Sequence, residues 1–283
     1  EPAKMKFLII NAYDQDGQAV LDSHGCTDPA FLYRDMVRDA RPAAAVEIMR
    51  PATPAGGLPP GVALSDFDGA LWTGSSLTIH QPDRFVTPQI DLARALFRAR
   101  VPQFGSCWAC QMAVVAAGGA CAANPRGREA GLARKISLTG AGRGHPMYAG
   151  KADVFDAFTN HSDEVTDLPA GTVLLAGNRH SRVQAVDVSY DGGRFWAVQY
   201  HPEYDLAELA ALTEARTDML IGFGKFADRA DAARFVADLR ALHADPARGD
   251  IAWRLGIDAD VMSTDLRWRE FRNWLAALGA GLR

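Results

Sequence analysis

Short apolar runs alternate with polar, proline- and glycine-bearing stretches along this chain. Lys6 to Ala12 (KFLIINA), Ala45 to Met49 and the apolar core of Asp66 to Ser75 have the length and composition of buried strands. Asp14 to Pro29 is polar and glycine-bearing and reads as a loop. Pro29 opens a helix, because proline suits a first turn, with Phe31, Leu32, Met36 and Val37 as its expected buried stripe. Pro51 to Gly61 is a loop too short for a domain linker, and Ser76 to Thr87, with His80 and Phe85, is another. Pro88 starts a helix with Ile90, Ala93, Leu96 and Phe97 on one face, and Val101 to Phe104 is the next strand. Runs around Ile136, Val154 to Phe158 and Val173 to Leu175 predict more strands. This alternation predicts an α/β fold with an open, mostly parallel central sheet flanked by helices. The loop over Ser76 to Thr87 should then overhang the C-terminal edge of that sheet, where open α/β folds bind ligands.

Past Glu203 the pattern changes to helical periodicity. Leu206 to Met219, Ala227 to His243 and Leu266 to Leu282 carry apolar stripes, and Trp268, Phe271, Trp274 and Leu275 are spaced for one buried face. The expected organisation is a main body over residues 1–205 and a C-terminal helical extension over 206–283, packed on that body.

Two stretches carry chemistry. Phe104-Gly105-Ser106-Cys107-Trp108-Ala109-Cys110-Gln111 has the form strand, glycine, nucleophile candidate, helix. A sharp strand-to-helix turn of this kind lifts one side chain above the sheet, and the free N–H groups of the helix start favour a thiolate. The helix runs on through Met112, Val114 and Val115 to Gly118-Gly119. Far downstream, Trp196 to Glu203 reads as a strand ending in His201-Pro202-Glu203. A cysteine nucleophile needs a histidine base, and the base needs an acceptor that fixes its tautomer.

Composition narrows the field. Of 283 residues 48% are hydrophobic and 23% charged, as in an ordinary globular protein, and the net charge of −4 offers no basic surface for nucleic acid or anionic membrane. No run approaches the roughly 18 apolar residues of a membrane span, and the N-terminus lacks a signal-peptide pattern. Four cysteines in a chain of this length do not make a disulfide scaffold, so a reducing cytoplasm is the expected setting. His24 and Cys26 are too isolated for a metal site, and no metal is expected.

On these residues the chain resembles the class I glutamine amidotransferase family, the cysteine-histidine-glutamate type found in GMP synthase and carbamoyl phosphate synthase. The elbow matches the family's G-x-C-x-G-x-Q, with Ala109 where glycine is usual, and His201-Pro202-Glu203 matches in full. Gly69 to Ser75, Asn124 to Gly131, Thr159 to Pro169 and Gln184-Ala185 match in family order, so the likeness spans about the first 205 residues. It implies a flavodoxin-like fold and a triad of Cys107, His201 and Glu203. It also implies backbone oxyanion donors at Gly74 and Trp108, and substrate contacts at Gln111, Asn160 and His161.

The implied reaction is hydrolysis of the γ-amide of glutamine or a γ-glutamyl amine through a glutamyl thioester, with no cofactor. Without a nucleotide-binding loop the chain is not a complete synthase. A free-standing hydrolase and an ammonia-supplying glutaminase subunit of a two-component amidotransferase both stay open, as do a homo-oligomer, a synthase partner and a degenerate domain that only binds. Cys107 and Cys110 also make a C-x-x-C motif, which a thiol–disulfide oxidoreductase would share and which would let Cys110 silence Cys107 reversibly.

Overall fold

The computed structural model describes residues 4–54 and 56–282. Strand and helix alternate through β1 (Lys6–Ile10), α1 (Gln15–Ser23), α2 (Pro29–Ala40), β2 (Ala45–Met49), β3 (Gly69–Trp72), α3 (Val86–Arg98), β4 (Gln103–Ser106) and α4 (Trp108–Ala116). Then come β5 (Ala120–Ala123), β6 (Glu129–Leu138), α5 (Gly140–Gly144), β7 (Val154–His161), β8 (Asp163–Asp167), β9 (Thr172–Gly177), β10 (Ala185–Tyr190) and β11 (Gly193–Val198).

Nine strands form one sheet in the order β2-β1-β3-β4-β11-β10-β9-β6-β7. The first five run parallel, and β10, β9, β6 and β7 extend the sheet with antiparallel pairings. The central parallel strands β1, β3 and β4 are almost wholly buried because both faces of the sheet are covered. Side chains alternate across a strand, so Phe7 and Ile9 join Tyr33 and Val37 of α2 on one face. Leu8 and Ile10 join Ala93, Leu96 and Phe97 of α3 and the apolar side of α4 on the other.

Two local expectations shift. The stretch read as a loop after Asp14 contains α1, because the Asp14 carboxylate accepts from the Gly17 N–H at 2.9 Å and Leu21 is buried beneath the helix. Gly17 weakens the helical pattern in sequence, but a Cβ there would stand 2.4 Å from the Ser76 hydroxyl, so glycine serves a close approach. In α2 the buried stripe is Ala30, Tyr33, Met36 and Val37, with Phe31 and Leu32 only partly covered. Asp28 caps that helix one residue before Pro29, and Tyr33 is fully buried.

Beyond β11 the chain is helical: α6 (Leu206–Ala215), α7 (Thr217–Gly222), α8 (Arg229–Ala244), α9 (Gly249–Leu255), α10 (Ala259–Met262), α11 (Thr264–Arg267) and α12 (Arg269–Gly279). Leu209 and Leu212 of α6 pack with Val236 and Leu239 of α8 in a cluster that reaches Tyr13 and Phe158. α12 returns to the sheet. Its Trp274 lies 6.1 Å from Phe7 and 5.7 Å from Phe104, ring centre to ring centre, and is fully buried. Gly69 makes room, since a Cβ there would meet the Trp274 ring at 2.7 Å. Glu270 on the same helix takes a buried ion pair from Lys151 at 2.9 Å and a hydrogen bond from the Tyr200 hydroxyl at 2.5 Å. No helix among the described residues is long and apolar enough to cross a membrane.

This packing makes α12 part of the core rather than an ornament on it. Trp274→Ala is therefore expected to lower stability by about 3–5 kcal/mol, the range for a large aromatic removed from a core. Urea unfolding checks it; a loss within ~0.5 kcal/mol of wild type, as for a surface change, would mean that the helix adds little.

Candidate active site

β4 and β11 are parallel neighbours, with Ser106 opposite Val198, so the residues just past their ends meet above the sheet. Cys107 follows β4 with φ 52° and ψ −98°, a left-handed conformation that costs about 1–3 kcal/mol for a non-glycine residue. The Cys107 N–H donates to the Val198 carbonyl at 2.8 Å, and its own carbonyl accepts from the Cys110 N–H at 3.0 Å as α4 begins. Gly105 permits the turn, since a Cβ there would lie 2.3 Å from the Trp72 carbonyl and 2.6 Å from the Ala109 methyl. The alanine at 109 thus fits because 105 is glycine.

β11 ends at Val198, so His201 and Glu203 stand beyond the strand rather than on it. Pro202 has no N–H to continue a ladder, and the His201 N–H turns aside to the Phe158 carbonyl at 2.8 Å. Glu203 Oε1 lies 2.7 Å from His201 Nδ1 and accepts the Ser106 hydroxyl at 2.7 Å. The His201 ring stacks on Tyr204 with centres 4.0 Å apart and planes 5° from parallel. Burial disfavours the imidazolium, but the Glu203 carboxylate and the hydrogen bonds to Cys107 and Glu203 outweigh it and raise His201 to about 9.

Gly74 faces this group. A Cβ on it would stand 3.0 Å from His201 Cε1 and 3.8 Å from Cys107 Cβ. The turn is clamped: Thr73 Oγ1 accepts from the Ala12 N–H at 3.0 Å and donates to the Gly74 carbonyl at 2.7 Å, while the Ser75 hydroxyl donates to the Ala12 carbonyl at 2.9 Å. Trp108 is the first residue of α4, so its N–H has no carbonyl four residues back within the helix to use. Its indole is buried and donates to Gln89 at 3.2 Å, whereas Trp72 lies in the core and donates to Gln103 at 2.8 Å.

A cavity of about 140 Å³ opens beside Cys107. Ser75 to Thr78 line one side, Asn160 to Asp163 another, and Gln111 and Trp108 complete the floor. The loop after β3 therefore does overhang the site, and His80 bridges it to Asp163 at 3.3 Å. Cys107 Sγ is 3.8 Å from the Asn160 carbonyl. Gln111 Nε2 reaches the Asp163 carbonyl at 3.4 Å and Gln199 Oε1 at 3.5 Å. His161 has both ring nitrogens engaged, with Glu129 at 2.9 Å and the Asp163 carbonyl at 2.8 Å, and the Asn160 amide oxygen accepts from Arg128 at 2.6 Å. Burial works against the Glu129 carboxylate, but hydrogen bonds from His161, Asn178 and Gln184 hold it below the ordinary range. Two further cations line the cavity, Arg128 and Arg216, and neither stood out in the sequence. Arg128 lies inside a glycine-rich turn and Arg216 in the helical tail, where an arginine is ordinarily a solvated charge.

Cys110 faces away from this cavity into the core, fully buried, and burial pushes its thiol well up. All four cysteines are free thiols. This gives the C-x-x-C reading no support, since a redox pair needs an accessible, acidified thiol.

The contact at Gly74 yields an expected outcome. Gly74→Ala should displace His201 or the Gly74 peptide and lower kcat by about 10²-fold or more, on the scale of a lost oxyanion donor, with the melting temperature nearly unchanged. Steady-state kinetics beside a thermal melt separate the two.

Residues 60–215, more than half of the chain, match the family described as glutamine amidotransferase class-I. A gamma-glutamyl-L-1-hydroxyisopropylamide hydrolase of Pseudomonas sp. is 34% identical over 227 residues, which cover 79% of this chain and 76% of that one. The GMP synthase of a Nitratiruptor species is 27% identical over 135 residues, 48% of this chain and 25% of the synthase. This chain thus matches about a quarter of that relative's length. A solved glutamine amidotransferase from Thermotoga maritima has a TM-score of 0.67 over 97% of both chains at 14% identity, a likeness of fold alone. With the family match over residues 60–215 and the kinship to the hydrolase over about three quarters of both chains, the chain belongs to the class-I glutamine amidotransferase family.

Proposed function

We propose that this chain is a free-standing amidohydrolase that cleaves the γ-amide of a γ-glutamyl amine or of glutamine. The observation that supports this most is the meeting of Cys107, His201 and Glu203, with Gly74 facing Cys107 and His201 and Trp108 following Cys107 at the cavity. Cys107 thiolate attacks the carbonyl carbon, and the N–H groups of Gly74 and Trp108 receive the oxyanion. The His201 imidazolium protonates the leaving nitrogen, the amine departs, and a glutamyl thioester remains. Neutral His201 then takes a proton from water, which attacks the thioester and releases glutamate. Glu203 holds Nδ1 protonated and stabilises the cation, and Gln111 helps to fix the glutamyl part. These steps use side chains and backbone only.

The relative from Pseudomonas, named for a γ-glutamyl amide of a small amino alcohol and matched along most of its length, supports the free-standing reading. A second reading, an ammonia-supplying subunit with a synthase partner, is favoured by the kinship to synthases that carry such a domain as a quarter of their length. In either case residues 1–205 supply the reacting groups and 206–283 wall the cavity and complete the core. Four free thiols fit a reducing cytoplasm.

Glutamate release by the purified protein, over glutamine and a panel of γ-glutamyl amines, tests the proposal. Turnover of at least one amide that Cys107→Ala abolishes is expected; silence across the panel would turn the argument to an obligate subunit. The pH profile adds a second expectation. The acid form of His201 protonates the leaving group, so kcat/KM should fall as pH rises through about 9. Glu203→Gln removes the charge that favours the imidazolium and should move this alkaline limb to lower pH. A limb that stays in place would detach Glu203 from His201.

A further inference from the structure

Ser106 ends β4 and stands immediately before Cys107, at a position that the pattern G-x-C-x-G-x-Q leaves open. Its side chain is fully buried and is not among those lining the cavity. The hydroxyl donates to Glu203 Oε1 at 2.7 Å and lies 3.5 Å from His201 Nδ1, which is itself 2.7 Å from the same oxygen. Glu203 Oε2 is buried and has no hydrogen-bond partner among the described residues. The carboxylate is therefore held through one oxygen by two donors. His201 gains and loses charge as the reaction proceeds, whereas the serine hydroxyl stays neutral. The donor that does not titrate sits on the strand that delivers the nucleophile.

This arrangement has two effects. A hydroxyl that donates to a carboxylate favours its ionised form, so Glu203 stays charged and oriented in a buried site even while His201 is neutral. The same bond lowers the basicity of the oxygen that faces Nδ1, so the imidazolium is gripped less tightly than by a carboxylate without that donor. Both halves of the reaction need this moderation, because His201 must give a proton to the leaving nitrogen and later take one from water.

We propose that Ser106 is a positioning residue of the triad, fixing Glu203 from β4 and tempering its hold on the His201 imidazolium. This rests on the amidohydrolase reading. The other ionisable groups around the trio are Cys107, Tyr204 stacked on the imidazole, Tyr13 with Arg216 bonded to it, Tyr33 on α2 and Glu208 on α6. Burial pushes all three phenols upward, which keeps them neutral while His201 titrates. Tyr33 is the rival for the role, since its buried hydroxyl is without a partner among the described residues and is influenced by both Ser106 and Glu203.

Ser106→Ala, Ser106→Thr and Tyr33→Phe, each checked by thermal melting, test this in the full chain. His201 is titrated without substrate by NMR of protein labelled with 15N-histidine, its signals assigned by their loss in His201→Asn. The pH profile, kcat and KM are then measured on a turned-over γ-glutamyl amide. In Ser106→Ala, His201 should titrate about one pH unit higher, the scale of a lost hydrogen bond to a charged group, and the alkaline limb of kcat/KM should move up with it. At neutral pH kcat should fall about tenfold, with KM changed less than about twofold because Ser106 lies off the cavity wall. The direction is opposite to that expected for Glu203→Gln, so general damage to the triad does not imitate it. Ser106→Thr keeps the hydroxyl and should recover most of the loss, and Tyr33→Phe should leave the titration in place.

A lower melting temperature with His201 titrating as in wild type would make Ser106 a packing residue and overturn the proposal, leaving the hydrolase reading intact. A downward move in Ser106→Ala, or an upward move in Tyr33→Phe alone, would overturn it as well. The expected titration in a protein that hydrolyses nothing would support the role of Ser106 and count against the reaction assigned to the site.

Discussion

The hydrogen bond from the Cys107 N–H to the Val198 carbonyl joins the two halves of the site. It ties the strained residue that follows β4 to the last residue of β11, and three residues further on the same chain presents His201. Parallel pairing is what makes this possible. Two adjacent strands running the same way deliver both ends to one edge of the sheet, so a nucleophile and a base distant in sequence need only short excursions to meet. The left-handed turn at Cys107 persists because its surroundings hold it on every side: Gly105 lets the elbow lie on Trp72, Ala109 fills the space that this leaves, and α4 is buried along nearly its whole length. Positive φ at a non-glycine residue is tolerated where neighbouring packing over-determines it, and here that packing is the core itself.

How much of this the sequence disclosed depended on how local each signal was. The elbow, the His201-Pro202-Glu203 segment and β2 could be read directly, because glycine, proline and branched residues act within a few positions of themselves. α1 could not, since its glycine and polar residues look like a loop until Ser76 is seen against Gly17. Arg128, Arg216 and the Ser106 hydroxyl were invisible for a different reason: each acts through a partner remote in sequence, and a lone arginine or serine carries no period or spacing to reveal it. Asn160 and His161 came from family likeness, and the structure adds that the Asn160 amide oxygen is already engaged by Arg128 and both His161 ring nitrogens by Glu129 and Asp163.

The electrostatics of the site divide by depth. Under the sulfur lies a closed relay in which Ser106 and His201 address the same oxygen of Glu203, with Tyr204 stacked on the imidazole. That relay is buried, and its charges compensate one another. Above it, the cavity wall carries Arg128 and Arg216 without carboxylate partners among the described residues.

The helical tail connects these two layers to the rest of the fold. Trp274 closes the sheet face opposite α4, and Glu270 on the same helix holds the hydroxyl of Tyr200, the residue immediately before His201. At its other end the tail begins with α6, whose C-terminus carries Arg216 to the cavity. A domain that stopped soon after Glu203 would keep Cys107, His201 and Glu203 but lose the helix that covers Phe7 and Phe104, the carboxylate that anchors Tyr200 and one of the two cations at the rim. Stability and the lining of the cavity thus depend on one C-terminal segment, with α12 burying the open face of the sheet and the α6–α7 junction reaching the mouth of the site.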